Sequence, residues 1–217
     1  MPNAVAKMTL GLAGASAASA GGVYLSGALD KEEQKFSIRE LVAKNKSIVL
    51  IASEENERWE KIWTTYKTQN QGRTEDSWNL EGWNHTSTDT RLPSLSAKCT
   101  SESTIKVEGV QDKKYQDFVS WCTRKAEFKD KLIDMGYEVL GDSDAKWQTN
   151  FDSYKAANNQ IKIQGLEIQT SENYNSGNNK LQTECKAALA AAIDEAKYSN
   201  SFEGIKTWCA KKKGESN

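Results

Sequence analysis

The chain has 217 residues, 27% of them charged, with a formal net charge of −1 and only two prolines. That length suits one large domain or two small ones. The balanced charge argues against nucleic acid as a partner, because phosphate binding needs a surplus of Lys and Arg on one face.

Residues Met8 to Leu29 form 22 consecutive positions without a charge, after Lys7 and before Asp30-Lys31-Glu32-Glu33. The stretch is long enough to cross a hydrocarbon core of about 30 Å. Its hydrophobicity is marginal, since fourteen of the 22 are Ala, Gly or Ser. One reading is an uncleaved anchor, with the N-terminus and Lys7 inside and residues 30–217 extracellular. A second is a cleaved signal peptide, for which Ala15-Ser16-Ala17 and Ala18-Ser19-Ala20 offer small-x-small sites. A third is a flexible leader with no membrane role. The first two readings export the remainder.

Beyond residue 37 the elements recur. A short helix is expected at Ile38 to Lys44 and again at Phe128 to Met135, each followed by an apolar stretch (Ile48 to Ile51; Tyr137 to Leu140) that suits a short strand or extended loop. Next, Trp59-x3-Trp63-x2-Tyr66-Lys67 aligns with Trp147-x3-Phe151-x2-Tyr154-Lys155, a stripe at helical spacing in both copies. Ser53 in the first copy and Asp142 or Ser143 in the second are the expected N-caps. Polar, turn-rich segments follow, Gln69 to Arg91 and Asn173 to Asn179, and here the copies diverge most.

A third helix is strong at Leu181 to Lys197 and weak in the first copy, where Ser101 to Gly109 reads as irregular. A last helix, capped by Asp112 in one copy and Ser199 or Ser201 in the other, ends in Trp-Cys and a basic tail: Trp121-Cys122 with Arg124-Lys125, Trp208-Cys209 with Lys211-Lys212. The offsets between matched positions are 88, 86 and 87, which points to an internal duplication. The expected layout is an N-terminal tail (1–7), a transmembrane or signal segment (8–29), a linker (30–37) and two tandem helical units (38–125 and 126–217). The fold class is mainly all-α, and the seven Trp residues are core fillers.

The four cysteines, Cys99, Cys122, Cys185 and Cys209, show no CxxC or other metal-like spacing, and the sole histidine, His85, is far from them in sequence. A unit copied whole carries its own bridge, so the duplication favours Cys99–Cys122 and Cys185–Cys209, each worth roughly 3 kcal/mol in the loop-entropy model. Four buried free thiols are the alternative in a reducing cytosol. The glycines of residues 11–27 lack the Lys-Ser or Lys-Thr of a phosphate loop. Paired acids (Glu54-Glu55, Asp142 with Asp144) sit at helix starts, where the helix dipole favours them. No catalytic constellation, metal set or cofactor site is expected; His85, in a polar segment of the first copy only, reads as a solvated loop residue.

The Gly/Ala-rich N-terminal segment, the W-x3-aromatic-x2-Y-K helix and the repeated Trp-Cys helix end resemble the large paralogous families of uncharacterised proteins in haemotropic mycoplasmas. The resemblance spans nearly the whole chain, on short motifs. It implies a wall-less bacterium, a soluble part facing the host, and a role in surface exposure and antigenic variation, with no functional residues to carry over. Two functions are therefore weighed. One is a non-enzymatic, membrane-anchored surface protein engaging a host-cell surface or antibody through its loops. The other is an exported hydrolase-like enzyme with a site near His85.

Overall fold

Residues 35–156, 158–175 and 179–215 are described by a computed structural model. Each half begins with a helix of about two turns held by a reciprocal cap. Ser37 accepts from Glu40 N and returns its own N–H to the Glu40 carboxylate, opening α1 (Ile38–Lys44). Glu127 and Asp130 form the same box at α5 (Phe128–Asp134). Such a box satisfies two N–H groups that the first helical turn leaves without partners.

The remaining elements follow in one order in both halves. In the first, β2 (Ile48–Leu50) leads to α2 (Asn56–Gln69), α3 (Pro93–Glu102), α4 (Lys113–Cys122) and β4 (Thr123–Lys125). In the second, β5 (Tyr137–Val139) leads to α6 (Lys146–Tyr154), α7 (Lys180–Ala190), α8 (Phe202–Cys209) and β6 (Ala210–Lys212). A two-residue strand pair, β1 (Phe36–Ser37) with β3 (Lys106–Val107), closes the first half. The Glu127–Ala192 bridge stands at the corresponding place in the second, after which a 3-10 turn (Ala196–Tyr198) leads into α8.

The strands correct the all-α expectation. The described residues hold eight α-helices and three two-stranded antiparallel ribbons: β1 with β3, β2 with β4, and β5 with β6. Each basic tail after Trp-Cys is the second strand of a ribbon, pairing Val49 with Arg124 and Glu138 with Lys211. These strands are too short to show an alternating pattern; what makes them extended is the partner's unpaired backbone. Among the described residues no helix is long and apolar enough to cross a membrane. The expected segment 8–29 lies outside them.

Three boundaries also differ. The third helix of the first half lies at Pro93–Glu102, ahead of the Ser101–Gly109 stretch, with Pro93 in its first turn where no N–H is needed and Leu95 and Cys99 buried one turn apart. Its counterpart α7 stops at Ala190, because Ala191 and Ala192 turn away to meet α5. Ser53 does not cap, and neither Asp142 nor Ser143 does. Glu55 and Asp144 stand at those helix starts instead, Glu55 accepting from Ala52 N at 2.8 Å and Asp144 from Lys146 N at 3.0 Å.

Two apolar clusters divide at the middle of the chain. One gathers Ile38, Trp59, Trp63, Tyr66, Leu95, Phe118 and Trp121; the other gathers Phe128, Trp147, Phe151, Tyr154, Leu181, Ile205 and Trp208. The described residues fall in a single compact unit, 34–217. Gly204 marks a tight approach within the second half, where any Cβ would meet the Lys162 carbonyl oxygen at 2.3 Å.

Candidate functional site

The motif W-x3-aromatic-x2-Y-K works in the same way twice. Trp59 Nε1 donates to the Ala52 carbonyl at 2.9 Å, and Trp147 Nε1 to the Gly141 carbonyl at 2.7 Å, which ties each helix to the strand before it. The aromatic residues, Trp63 and Phe151, are buried. Tyr66 meets Trp121 edge-on at 4.7 Å, and Tyr154 meets Trp208 edge-on at 5.5 Å. The lysine reaches the long loop that follows: Lys67 donates to the Asp89 carbonyl and Lys155 to the Glu172 carbonyl, both at 2.9 Å.

The tyrosine hydroxyls organise those loops, residues 70–92 and 155–179, by different chemistry. Tyr66 donates to the buried Asp76 carboxylate, which also accepts from Trp78 N at 2.9 Å and Leu80 N at 2.9 Å. Burial, and next the Asp76 carboxylate, hold the Tyr66 hydroxyl well above the usual tyrosine range, so it stays a donor. Tyr154 instead accepts from Ile163 N at 3.1 Å and donates to the Leu166 carbonyl at 3.0 Å. Burial raises its pKa also.

These loops are less superficial than their composition suggests. Trp78 and Leu80 are buried in the first cluster, and Trp83 packs edge-on against both Trp63 and Tyr66. In the second half Ile163, Leu166 and Ile168 are buried and Tyr174 lies against Phe151. Exposed polar residues such as Arg73, Glu75, His85, Glu167 and Gln169 are what the loops present to solvent. The pattern is a fixed scaffold carrying two anchored, dissimilar loops, an arrangement that favours recognition.

The four cysteines form the bridges Cys99–Cys122 and Cys185–Cys209, with Cα atoms 5.5 and 5.4 Å apart. Each joins the third helix of its half to the end of the last, directly beneath the ribbon. His85 is exposed in a turn; the Ser87 hydroxyl donates to the Asp89 carboxylate at 2.8 Å, and His85 takes no part in that bond. Among the described residues no group of His, Cys, Asp and Glu is placed to hold a metal ion.

A network of charges at the joint was not anticipated from sequence. Arg124 donates to Glu55 at 2.8 Å and, through two nitrogens, to Asp130 at 2.6 and 3.0 Å. Glu127, 4% exposed, pairs with Arg58 and with Lys129 at 3.0 Å. Burial works against the charge on Arg124, but Asp130, Glu127 and Glu55 outweigh it and keep the guanidinium protonated. Burial likewise opposes ionisation of Asp130, and the Arg124 and Glu127 hydrogen bonds overcome it, leaving its pKa below the usual carboxylate value. Beside this network a groove of about 630 Å³ crosses the joint, with the half-exposed Ile133 and Met135 on its wall and the Lys46–Asp134 pair among its lining residues.

No family model matches the chain, and neither does any curated protein or solved structure.

Proposed function

We propose that the chain is a non-enzymatic surface protein, exported and held at the cell membrane by residues 8–29, whose duplicated, disulfide-stapled halves present the loops 70–92 and 155–179 to a host-cell surface or to antibodies. The observation that carries this reading is the contrast between frame and loops. Matched residues make matched hydrogen bonds and bridges in the two halves, while the loops between the second and third helices share only their anchoring points. A frame of that kind tolerates change in what it displays, which is what antigenic variation in a paralogous family requires. Export agrees with the cysteines, because disulfides persist in oxidising surroundings. The resemblance to the surface families of haemotropic mycoplasmas points the same way.

The test is protease treatment of intact source cells followed by non-reducing peptide mapping. The expected result is loss of residues beyond 30 to external protease, with linked peptides holding Cys99 to Cys122 and Cys185 to Cys209. Protection from protease together with four alkylatable thiols would overturn both the location and the stapled frame.

A further inference from the structure

The two halves differ at one place beside their disulfides. In the first half a cavity of about 270 Å³ lies between α2, α3 and the strand β2. Its lining is mixed: Leu50, Ile51, Trp59, Phe118 and the Cys99–Cys122 bridge make the apolar part. Ser96, Thr100 and Ser103 line the α3 side, and Arg39 also lines the cavity.

Aligning the halves on Leu95 with Leu181 and on Cys99 with Cys185 places Ser96 opposite Gln182 and Thr100 opposite Lys186. In the second half those longer side chains occupy the corresponding positions. Gln182, 2% exposed, donates through Nε2 to the Asp142 carbonyl at 2.8 Å and fills the place from within, while Lys186 pairs with the exposed Asp142 carboxylate at the surface. Ser96 and Thr100 are too short to make that span, and both turn their hydroxyls back onto carbonyls of their own helix.

The charge at the same place differs in a matching way. Arg39 corresponds to Lys129, which is neutralised by Glu127 at 3.0 Å. Glu127 corresponds to Ser37, so the first half lacks that carboxylate. Among the ion pairs of the described residues Arg39 has no partner. A cavity with one apolar side and an exposed guanidinium outside any ion pair on its lining suits a ligand with an apolar body and one anionic group, because Arg binds a carboxylate through two parallel donors.

We propose that the cavity beside Cys99–Cys122 binds small monocarboxylates with an apolar body and that the second half has lost this site by filling it with Gln182. The volume lies just below the usual range of small-molecule pockets, which suits a ligand of roughly ten non-hydrogen atoms, as in an arylacetic or medium-chain fatty acid. Affinities of ligands this small fall in the micromolar to millimolar range. The inference is independent of where the chain resides.

Phenylacetate is the probe, titrated into the full-length chain and followed by amide chemical shifts. Shifts confined to Arg39, Trp59, Ser96, Thr100 and their neighbours are expected, with none at Gln182 or Lys186. The filling variant Ser96→Gln should weaken binding at least tenfold. Arg39 is exposed, so Arg39→Ala leaves the fold intact should the filling variant fail to fold. It should weaken phenylacetate about tenfold while leaving the neutral analogue benzyl alcohol nearly unchanged. Absence of localised shifts at 10-fold excess over a millimolar dissociation constant, or equal loss of both probes in Arg39→Ala, overturns the proposal.

Discussion

The first and second halves hold their ribbons down with a cation at the same strand position, yet the two cations have different work. Lys211 of β6 closes onto Asp144 at 2.9 Å and Glu138 at 3.5 Å, both within its own half. Arg124 of β4 closes onto Glu55 in its own half and then reaches forward with two nitrogens to Asp130 of α5. A lysine offers a compact point charge; a guanidinium offers a planar fork that serves two carboxylates at once. The chain runs from β4 directly into α5, so the residue that fastens the first ribbon also fixes the start of the second half. Arg124 thus ties its ribbon to α5, while Lys211 meets carboxylates beside its own ribbon.

That comparison breaks most visibly at Arg124. Arg124→Ala removes the partner of Glu55 and Asp130 while leaving both carboxylates half-buried at the joint, a loss expected to cost about 4 kcal/mol in urea unfolding. Arg124→Lys restores the charge without the fork and should recover only part of it. Acid sensitivity provides an independent reading. Asp130 has its pKa held below the ordinary 3.8, so the stability it contributes is fully present above that value. It is lost as pH falls through the lower folded value. The Arg124→Ala protein should therefore lose less stability than the parent between pH 4 and pH 2. An unchanged acid profile in the variant would show that Asp130 owes its ionisation to the capping box alone.

Removing the bridges one half at a time probes the frame itself. Cys99→Ser/Cys122→Ser and Cys185→Ser/Cys209→Ser open loops of nearly equal span, 23 and 24 residues. Each pair should cost about 3 kcal/mol if closure entropy dominates. Equal losses would mean that the halves depend on their bridges alike. A clearly larger loss in the first half would fit its emptier surroundings, where the cavity beside Cys99–Cys122 has no counterpart of the buried Gln182 to fill it.

How much of this was legible in the sequence depends on how local the cause is. Trp59, Tyr66 and Lys67 could be placed on one helix because their spacing declares it, and the duplicate at Trp147, Tyr154 and Lys155 made the cysteine pairing readable by register. Only one strand each of the β2–β4 and β5–β6 ribbons was legible: Ile48–Leu50 and Tyr137–Val139 fall in the stretches read as short strand or extended loop. Thr123-Arg124-Lys125 and Ala210-Lys211-Lys212 carry no alternation and become strands only by pairing with residues far away in sequence. Trp78 and Leu80 were hidden inside a polar segment whose composition reads as loop, and the signal that places them in the core is Tyr66, whose hydroxyl needs a partner once buried. The cavity was legible in principle, through Ser96 against Gln182, but only after the structure had shown what Gln182 does.

The tyrosine anchors allow a finer comparison. Tyr66→Phe withdraws a donor from the buried carboxylate of Asp76, and bonds to charged groups are the stronger kind, so a loss of about 2 kcal/mol is expected. Tyr154→Phe leaves Ile163 N and the Leu166 carbonyl short of a partner, with an expected loss of about 1 kcal/mol. Hydrogen exchange should localise each effect, at Trp78 and Leu80 in one variant and at Ile163 in the other. A reversal of the order would mean that the Asp76 carboxylate is satisfied by its backbone donors alone.

The smallest effect is expected from the pairs that look most like clasps across the joint. Lys46 meets Asp134 at 3.0 Å and Lys125 meets Asp194 at 2.8 Å, each linking the first half to the second. All four side chains are more than half exposed, from 63% to 74%. Water and salt screen such pairs, and holding two long side chains in one geometry costs entropy that offsets the attraction. A double-mutant cycle on Lys125 and Asp194 should give no coupling beyond error, and raising the salt should leave the midpoint of unfolding unchanged. Arg124 faces carboxylates with little water around them, and its variants should keep their deficit at the same salt. If the exposed pairs prove as costly to remove as Arg124, the joint is held by its rim, and burial at Glu127 and Asp130 has been given too much weight.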